Sequence, residues 1–219
     1  MMNISFGFVM GLLSVCAEDS AVFASPNIPH SYDLPIVTSP DSIQSVSAIV
    51  TTALKYLNTP YRYNGRNEPP RLRNLDCLGL LFITLQENYG IPWRKWSYVP
   101  SKLIGQIAPD STQRDTLILD DYEGHLEDVV KDLKPGDFLF LLGPTPLVGD
   151  KPILKNCRDE DLYVWHTGIY SGSGNIIHAS PFDDNNGKSV HKVIEENLLD
   201  FMTRINFEGF VKASFSAKK

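Results

Sequence analysis

Apolar residues recur along this chain in two rhythms, and the change from one to the other divides it near residue 133. In the first part the rhythm is helical. Ser39-Pro40-Asp41 is a start signal, and Ile43, Val46, Val50, Leu54 and Leu57 fall on one face, which predicts a helix over residues 41–57. Asn58 to Gly65 reads as a turn or short extended segment, and a loop bearing Arg66, Arg71 and Arg73 follows. Leu78, Leu81, Phe82 and Leu85 then stand at i, i+3, i+4 and i+7, while Leu80 and Ile83 are apolar on other sides. A helix over residues 74–90 with so little polar surface is a central, buried one. Asn74 or Asp76 would cap its start, Gly90 and Pro92 would stop it, and Cys77 lies in its first turn.

Between residues 91 and 131 the pattern weakens. Trp93-Arg94-Lys95-Trp96-Ser97-Tyr98 interleaves aromatics with cations, a composition that pins a loop by packing or stacks on sugar rings, and a modest helical segment is predicted over residues 117–131. After Lys134-Pro135-Gly136-Asp137, a turn, the period shortens to that of strands. Strands are predicted over residues 138–142, 164–170, 175–179, 189–194 and 204–211, with a short helix over 196–201. The second and third of these strands form a hairpin across Ser171-Gly172-Ser173-Gly174, and residues 143–161, with Cys157, make a polar excursion before it. No internal repeat is present.

The ends change this picture little. Residues 4–15 are an apolar run, too short to span a bilayer and of the length of a signal-peptide core, so residues 1–24 are expected to be a signal peptide and the protein periplasmic or secreted. No Lys or Arg precedes the run, and its alternative is a hydrophobic strand or helix of the domain. Leu13-Ser14-Val15-Cys16 fits a lipoprotein box poorly, which disfavours a lipid anchor. Residues 25–40, with Pro26, Pro29, Pro35 and Pro40, read as a linker or strap before one domain over residues 41–219, and no transmembrane span is expected in the mature chain.

Composition is that of ordinary globular material, with 42% hydrophobic and 21% charged residues over 219 positions. The net charge of −6 with scattered basic residues argues against nucleic acid as a partner. The three cysteines show no CxxC and no metal-ligand spacing, so neither a disulfide framework nor a metal or cofactor is expected.

The candidate chemistry is a thiol and two imidazoles. Cys77 at a helix start feels the positive pole of the macrodipole, which favours the thiolate by roughly 0.3–1 kcal/mol, about one pKa unit at most. A base must complete its activation. If the hairpin turn is centred on Gly172, His166 and His178 are cross-strand partners on one face, with Cβ atoms ~4.5–5.5 Å apart. One ring would face the thiol and the second would hold its far nitrogen. The alternatives are two histidines on a solvated face, or a zinc site of Cys77, His166 and His178 that lacks any close-spaced ligand pair.

Five blocks occur in order: Pro60-Tyr61-Arg62-Tyr63-Asn64-Gly65, Asp76-Cys77-Leu78-Gly79, Leu133-Lys134-Pro135-Gly136-Asp137, His166-Thr167-Gly168-Ile169-Tyr170 and Ile177-His178-Ala179. In this the chain resembles the NlpC-type (NlpC/p60) cysteine peptidases of bacterial cell walls. The resemblance implies an α+β, papain-like domain with the cysteine helix packed on an antiparallel sheet. It implies Cys77 as nucleophile, His166 as general base, His178 as the residue orienting it, and Tyr61 and Asp76 as substrate-binding or oxyanion residues beside the Cys77 backbone N–H. The implied substrate is peptidoglycan or its muropeptides, cut between D-glutamate and a diamino acid or at a neighbouring cross-link. Leu78 stands where the family usually has Ser, Asn64-Gly65 where it has Gly-Gly, and the segments 91–131 and 143–161 are enlarged. Two other functions share these residues: a non-catalytic wall-binding module of the same fold, and a transferase or deamidase working through the same thioacyl intermediate.

Overall fold

The computed structural model describes residues 47–66, 71–119, 128, 130–144, 150–184 and 186–215. The expected signal peptide, the strap, Cys16 and the start signal at Ser39 lie outside these residues. Helix α1 (Ala48–Leu54) is the described part of the first predicted helix. Helix α2 (Cys77–Tyr89) is the central one, capped by Asp76 and closed by Gly90 in the left-handed conformation, and its residues Leu78 to Leu85 are all buried. Helix α3 (Pro100–Ile107) was hidden in the weak segment; it starts with Pro at its first turn and buries Leu103, Ile104 and Ile107.

The strands are β1 (Arg114–Ile118), β2 (Phe138–Gly143), β3 (Leu154–Lys155), β4 (Asp161–Gly172), β5 (Asn175–Ser180), β6 (Lys192–Asn197) and β7 (Gly209–Ala213), with helix α4 (Leu198–Ile205) between the last two. Leu117 and Ile118, expected to begin a helix, are strand: they pair with Phe210 and Gly209 at the sheet edge. Residues 120–127 and 129 of that predicted helix lie outside the described part. Cys157 is disulfide-bonded, which the cysteine spacing gave no reason to expect.

All pairings between strands are antiparallel, in the order β1-β7-β2-β4-β5-β6, with β3 added to the end of β4. This is the α+β architecture expected. Period-2 alternation divides the sheet into two faces. Phe138, Phe140, Leu142, Ile169, Ile177, Ala179, Val211 and Ala213 join one buried cluster with α2 and α3. Leu139, Leu141, Tyr170, Ile176 and Phe210 join a second with Leu198, Phe201 and Met202 of α4. Strand β2 is buried at every position because both faces are covered.

The hairpin register differs from the expected one. Ile169 pairs with Ile177 and Tyr170 with Ile176, so the turn is centred on Ser173 rather than Gly172, and the irregularity at the strand ends absorbs the extra residue. In this register Gly168 is the position facing His178, two residues from His166.

Candidate active site

Cys77 is the first residue of α2 and the free thiol among the described cysteines. Its surroundings are built by the preceding loop. Leu75 N–H donates to Pro60 O, Arg62 N–H to Leu75 O, and Asp76 N–H to Gly65 O. Two glycines permit this approach: a Cβ on Gly79 would meet Gly65 O at 2.6 Å, and one on Gly65 would meet Asn74 Oδ1 at 2.6 Å. Tyr61 is thereby held beside the thiol.

Asp76 is 2% exposed, and both its oxygens are engaged. Gly79 N–H donates to Oδ1 at 2.7 Å, which caps the helix, and Arg66 Nε donates to Oδ2 at 2.5 Å. The Arg66 guanidinium lies 5.1 Å from the centre of the Tyr98 ring. The carboxylate therefore serves the helix start and Arg66, and being an acceptor it cannot donate to an oxyanion.

The same carboxylate sets the thiol. Burial, and then the charge of Asp76, push Cys77 up to about 11 from its ordinary 9.0, while Thr167 and Arg66 act in the opposite sense. The expected downward shift from the helix dipole is overridden, chiefly because burial disfavours the thiolate and secondly because the acidic cap offsets the positive pole of the helix. Burial raises Tyr61 as well, with the charges of Cys77 and Asp76 adding to it.

The residue across from the thiol is Thr167. Leu141 pairs with His166 and Phe140 with Thr167, and between Leu141 and Leu142 the register shifts, leaving Trp165 as the extra residue of a bulge. Phe140 belongs to the α2 side and Leu141 to the α4 side. Thr167 therefore points to the α2 side and His166 to the α4 side, contrary to the expectation of a ring facing the thiol. Thr167 sits against Cys77, where hydrogen bonding from its side chain and backbone favours the thiolate.

His166 and His178 are brought together. Their rings meet edge to face with centroids 5.0 Å apart, and His166 Nε2 lies 2.8 Å from His178 Nδ1. Phe201 stacks on His178 at 4.1 Å, and Phe182 closes on His166 at 5.3 Å. In this apolar setting burial holds His166 well below its ordinary range, with His178 adding to the effect, and burial also lowers His178 despite the bond to Glu196. Both rings are neutral at pH 7.

Thiol and imidazole meet at one cavity of about 360 Å³, whose lining includes Tyr61, Arg66, Cys77, Tyr98, His166 and Phe182. No hydrogen bond joins Cys77 Sγ to His166 in this state. No sequence pattern marks Phe182, Glu196 or Arg204 as part of this site. Thr167 lies within a quoted block, but only the bulge shows that it, and not its neighbour, faces the sulfur. Among the described residues no group of His, Cys, Asp and Glu is arranged to hold a metal ion, and no helix is long and apolar enough to cross a membrane.

No family model matches the chain, and no curated protein does. Solved structures do. The chain is similar to the NlpC/p60 domain of the peptidoglycan hydrolase SagA, at 20% identity over 77% of this chain and 97% of that one, with a TM-score of 0.41. It is similar to NlpC1 from Trichomonas vaginalis at 15% identity, over 80% of this chain and 46% of that one, with a TM-score of 0.46. It is also similar to an N-acetylmuramoyl-L-alanine amidase from Bacteroides uniformis at 15% identity, over 77% of this chain and 99% of that one, with a TM-score of 0.41. All three TM-scores lie below 0.5, and it is the five sequence blocks that carry the resemblance to NlpC-type peptidases.

Proposed function

We propose that this protein is a cysteine hydrolase of bacterial cell-wall peptidoglycan, exported to the periplasm or secreted, that cuts peptide bonds in the stem peptides. The observation that carries this reading is that Cys77, on the start of a buried helix, and His166, held from behind by His178, line the same cavity.

His166 commits Nε2 to His178, so Nδ1 is the nitrogen left for substrate chemistry. With the thiol raised to about 11 and the imidazole lowered, the resting pair is neutral on both sides. Activation is then general-base catalysis and not a standing thiolate. The thiol lies on the α2 side of the sheet and the imidazole on the α4 side, so the reaction requires Sγ and Nδ1 to approach each other past the bulge at Trp165 when substrate fills the cavity that both residues line. The sulfur gives its proton to Nδ1 and adds to the scissile carbonyl carbon. The oxyanion takes the Cys77 backbone N–H, which at the helix start has no intrahelical partner. Imidazolium returns the proton to the departing amine, leaving a thioester. Water, deprotonated by the same nitrogen, hydrolyses it to a carboxylate and restores the thiol. Tyr61, beside the sulfur, positions the substrate in this reading.

Two observations favour a second reading, a wall-binding module without catalysis: the raised thiol and the absence of a Cys77–His166 hydrogen bond. Incubation of the purified chain with muropeptides beside Cys77→Ala, with products weighed by mass spectrometry, decides between them. The hydrolase reading expects peptide release from the wild type and none from the variant. Equal release from both removes Cys77 as nucleophile, and binding without release establishes the module.

A further inference from the structure

We propose that Glu196, clamped by Arg204, is a positioning residue that fixes which nitrogen of His166 is free to act as a base, through hydrogen bonds running across three neighbouring strands. The inference rests on the reading of His166 as the base, but the proton positions it assigns can be observed without any turnover.

The run is built into the sheet. On β5, His178 faces Ile194 of β6, and Glu196 pairs with Ile176. Glu196 is thus two residues off the position opposite His178, as His166 is on the other side, and the three side chains form a diagonal on the α4 face. Diagonal neighbours in a sheet are about 7–8 Å apart at the backbone, within reach of long side chains. His178 Nε2 lies 2.9 Å from Glu196 Oε1. Arg204 of α4 grips the same carboxylate with both terminal nitrogens, Nη2 to Oε1 at 2.9 Å and Nη1 to Oε2 at 2.8 Å. Burial works against the ionised carboxyl, yet the bonds from His178 and Arg204 prevail and hold Glu196 low.

The direction of every bond follows from that charge. An ionised carboxylate only accepts, so the proton of His178 must sit on Nε2. A neutral ring carries one proton, so His178 Nδ1 is an acceptor. His166 Nε2 must then donate to it, and the one remaining ring nitrogen, His166 Nδ1, is left with its lone pair. With no fixed acceptor at the far end the run is equally consistent in reverse, with His166 Nδ1 protonated and useless as a base. Arg204 holds the carboxylate ionised and in place; donors alone cannot substitute for it.

The test uses the full chain with ¹⁵N-labelled histidine at pH 7.5, reading proton position on each ring from two-bond ¹H–¹⁵N correlations, with assignments from His166→Gln and His178→Gln. In the wild type both rings should carry their proton on Nε2; a proton on Nδ1 of His166 overturns the proposal with no variant needed. Glu196→Gln introduces an amide whose NH2 group can turn to His178, so resonances of the reversed form should appear with the melting temperature nearly unchanged. Glu196→Leu removes the acceptor from Nε2, and reversal there should be complete. Rings unchanged in both variants also overturn it. On muropeptides, kcat of Glu196→Gln should fall about 10–100-fold with KM unchanged, the range seen when partners that orient a metal-bound histidine are replaced. A wild type that shows these proton positions but releases no peptide refutes the hydrolase reading while leaving the assignment intact. An active wild type matched by Glu196→Gln refutes the positioning role.

Discussion

His166 Nε2 lies 2.8 Å from His178 Nδ1 although the two residues are not cross-strand partners: Gly168 is the position facing His178, and the histidines meet on the diagonal. Gly168 makes this meeting feasible. A Cβ there would lie 2.5 Å from Ile176 Cδ1 and 3.1 Å from Ile177 O, so a larger residue would spread the two strands.

The pair ranks three substitutions. On the hydrolase reading His166→Ala removes the proposed base and Cys77→Ala the proposed nucleophile, so each should abolish muropeptide turnover. His178→Asn keeps a polar group behind His166 and should leave a measurable remainder, because orientation contributes less than the reacting groups. Turnover measured on the three variants checks the order, and a fully active His166→Ala would remove that residue from the mechanism.

Helix α2 was legible because its limits are local chemistry: Asp76 accepts the Gly79 N–H, and Gly90 takes a left-handed φ of 66° that ends the helix. The two faces of the sheet were legible from alternation. The meeting of the histidines was legible as a contact, but by the wrong register, since three successive residues with positive φ, Gly172, Ser173 and Gly174, move the turn centre by one. The face to which His166 points was not legible. The bulge at Trp165 interrupts the alternation of β4, and nothing in the identity of the residues around it marks where the extra one lies. The sequence predicts Glu196 at a helix start, whereas β6 runs on to Asn197 and carries it to His178.

The thiol should titrate high. With Cys77 pushed up to about 11, alkylation of the unliganded protein by iodoacetamide at pH 7 should be slow and should climb through pH 9 to 11. Asp76→Asn keeps an oxygen for the Gly79 N–H and removes the neighbouring charge, so the climb should begin at lower pH. Mass spectrometry of the Cys77 peptide gives the rates. Fast labelling of the wild type at pH 6 would mean a thiolate already formed, contrary to the neutral resting pair.

Gly79→Ala should destabilise the fold by about 1–3 kcal/mol, the usual cost of overpacking. The added methyl meets Gly65 O, a backbone atom that cannot rotate away, so the loop carrying Tyr61 must shift. Urea denaturation reads the loss as a lower midpoint at unchanged slope. Gly105→Ala, where a Cβ finds open space, is the matched helical control and should be neutral or slightly stabilising.

Acid should weaken the protein through its two buried imidazoles. Burial holds His166 and His178 below the ordinary imidazole value of 6.5 in the folded chain. As pH falls through about 6.5 the unfolded chain takes up two protons at these positions that the folded chain refuses, and stability rises with pH wherever the unfolded state binds more protons. Each ring contributes up to about 1.4 kcal/mol per pH unit below that point, until its own folded value is reached. The loss is fully recovered above the unfolded value. Urea midpoints measured between pH 7.5 and 5.5 should therefore fall with acidification, and His178→Asn should lower the slope, since an amide does not titrate. A midpoint that stays level across this window would mean that both rings accept protons in the folded state, and the neutral, one-directional run from Glu196 to the cavity would then not exist.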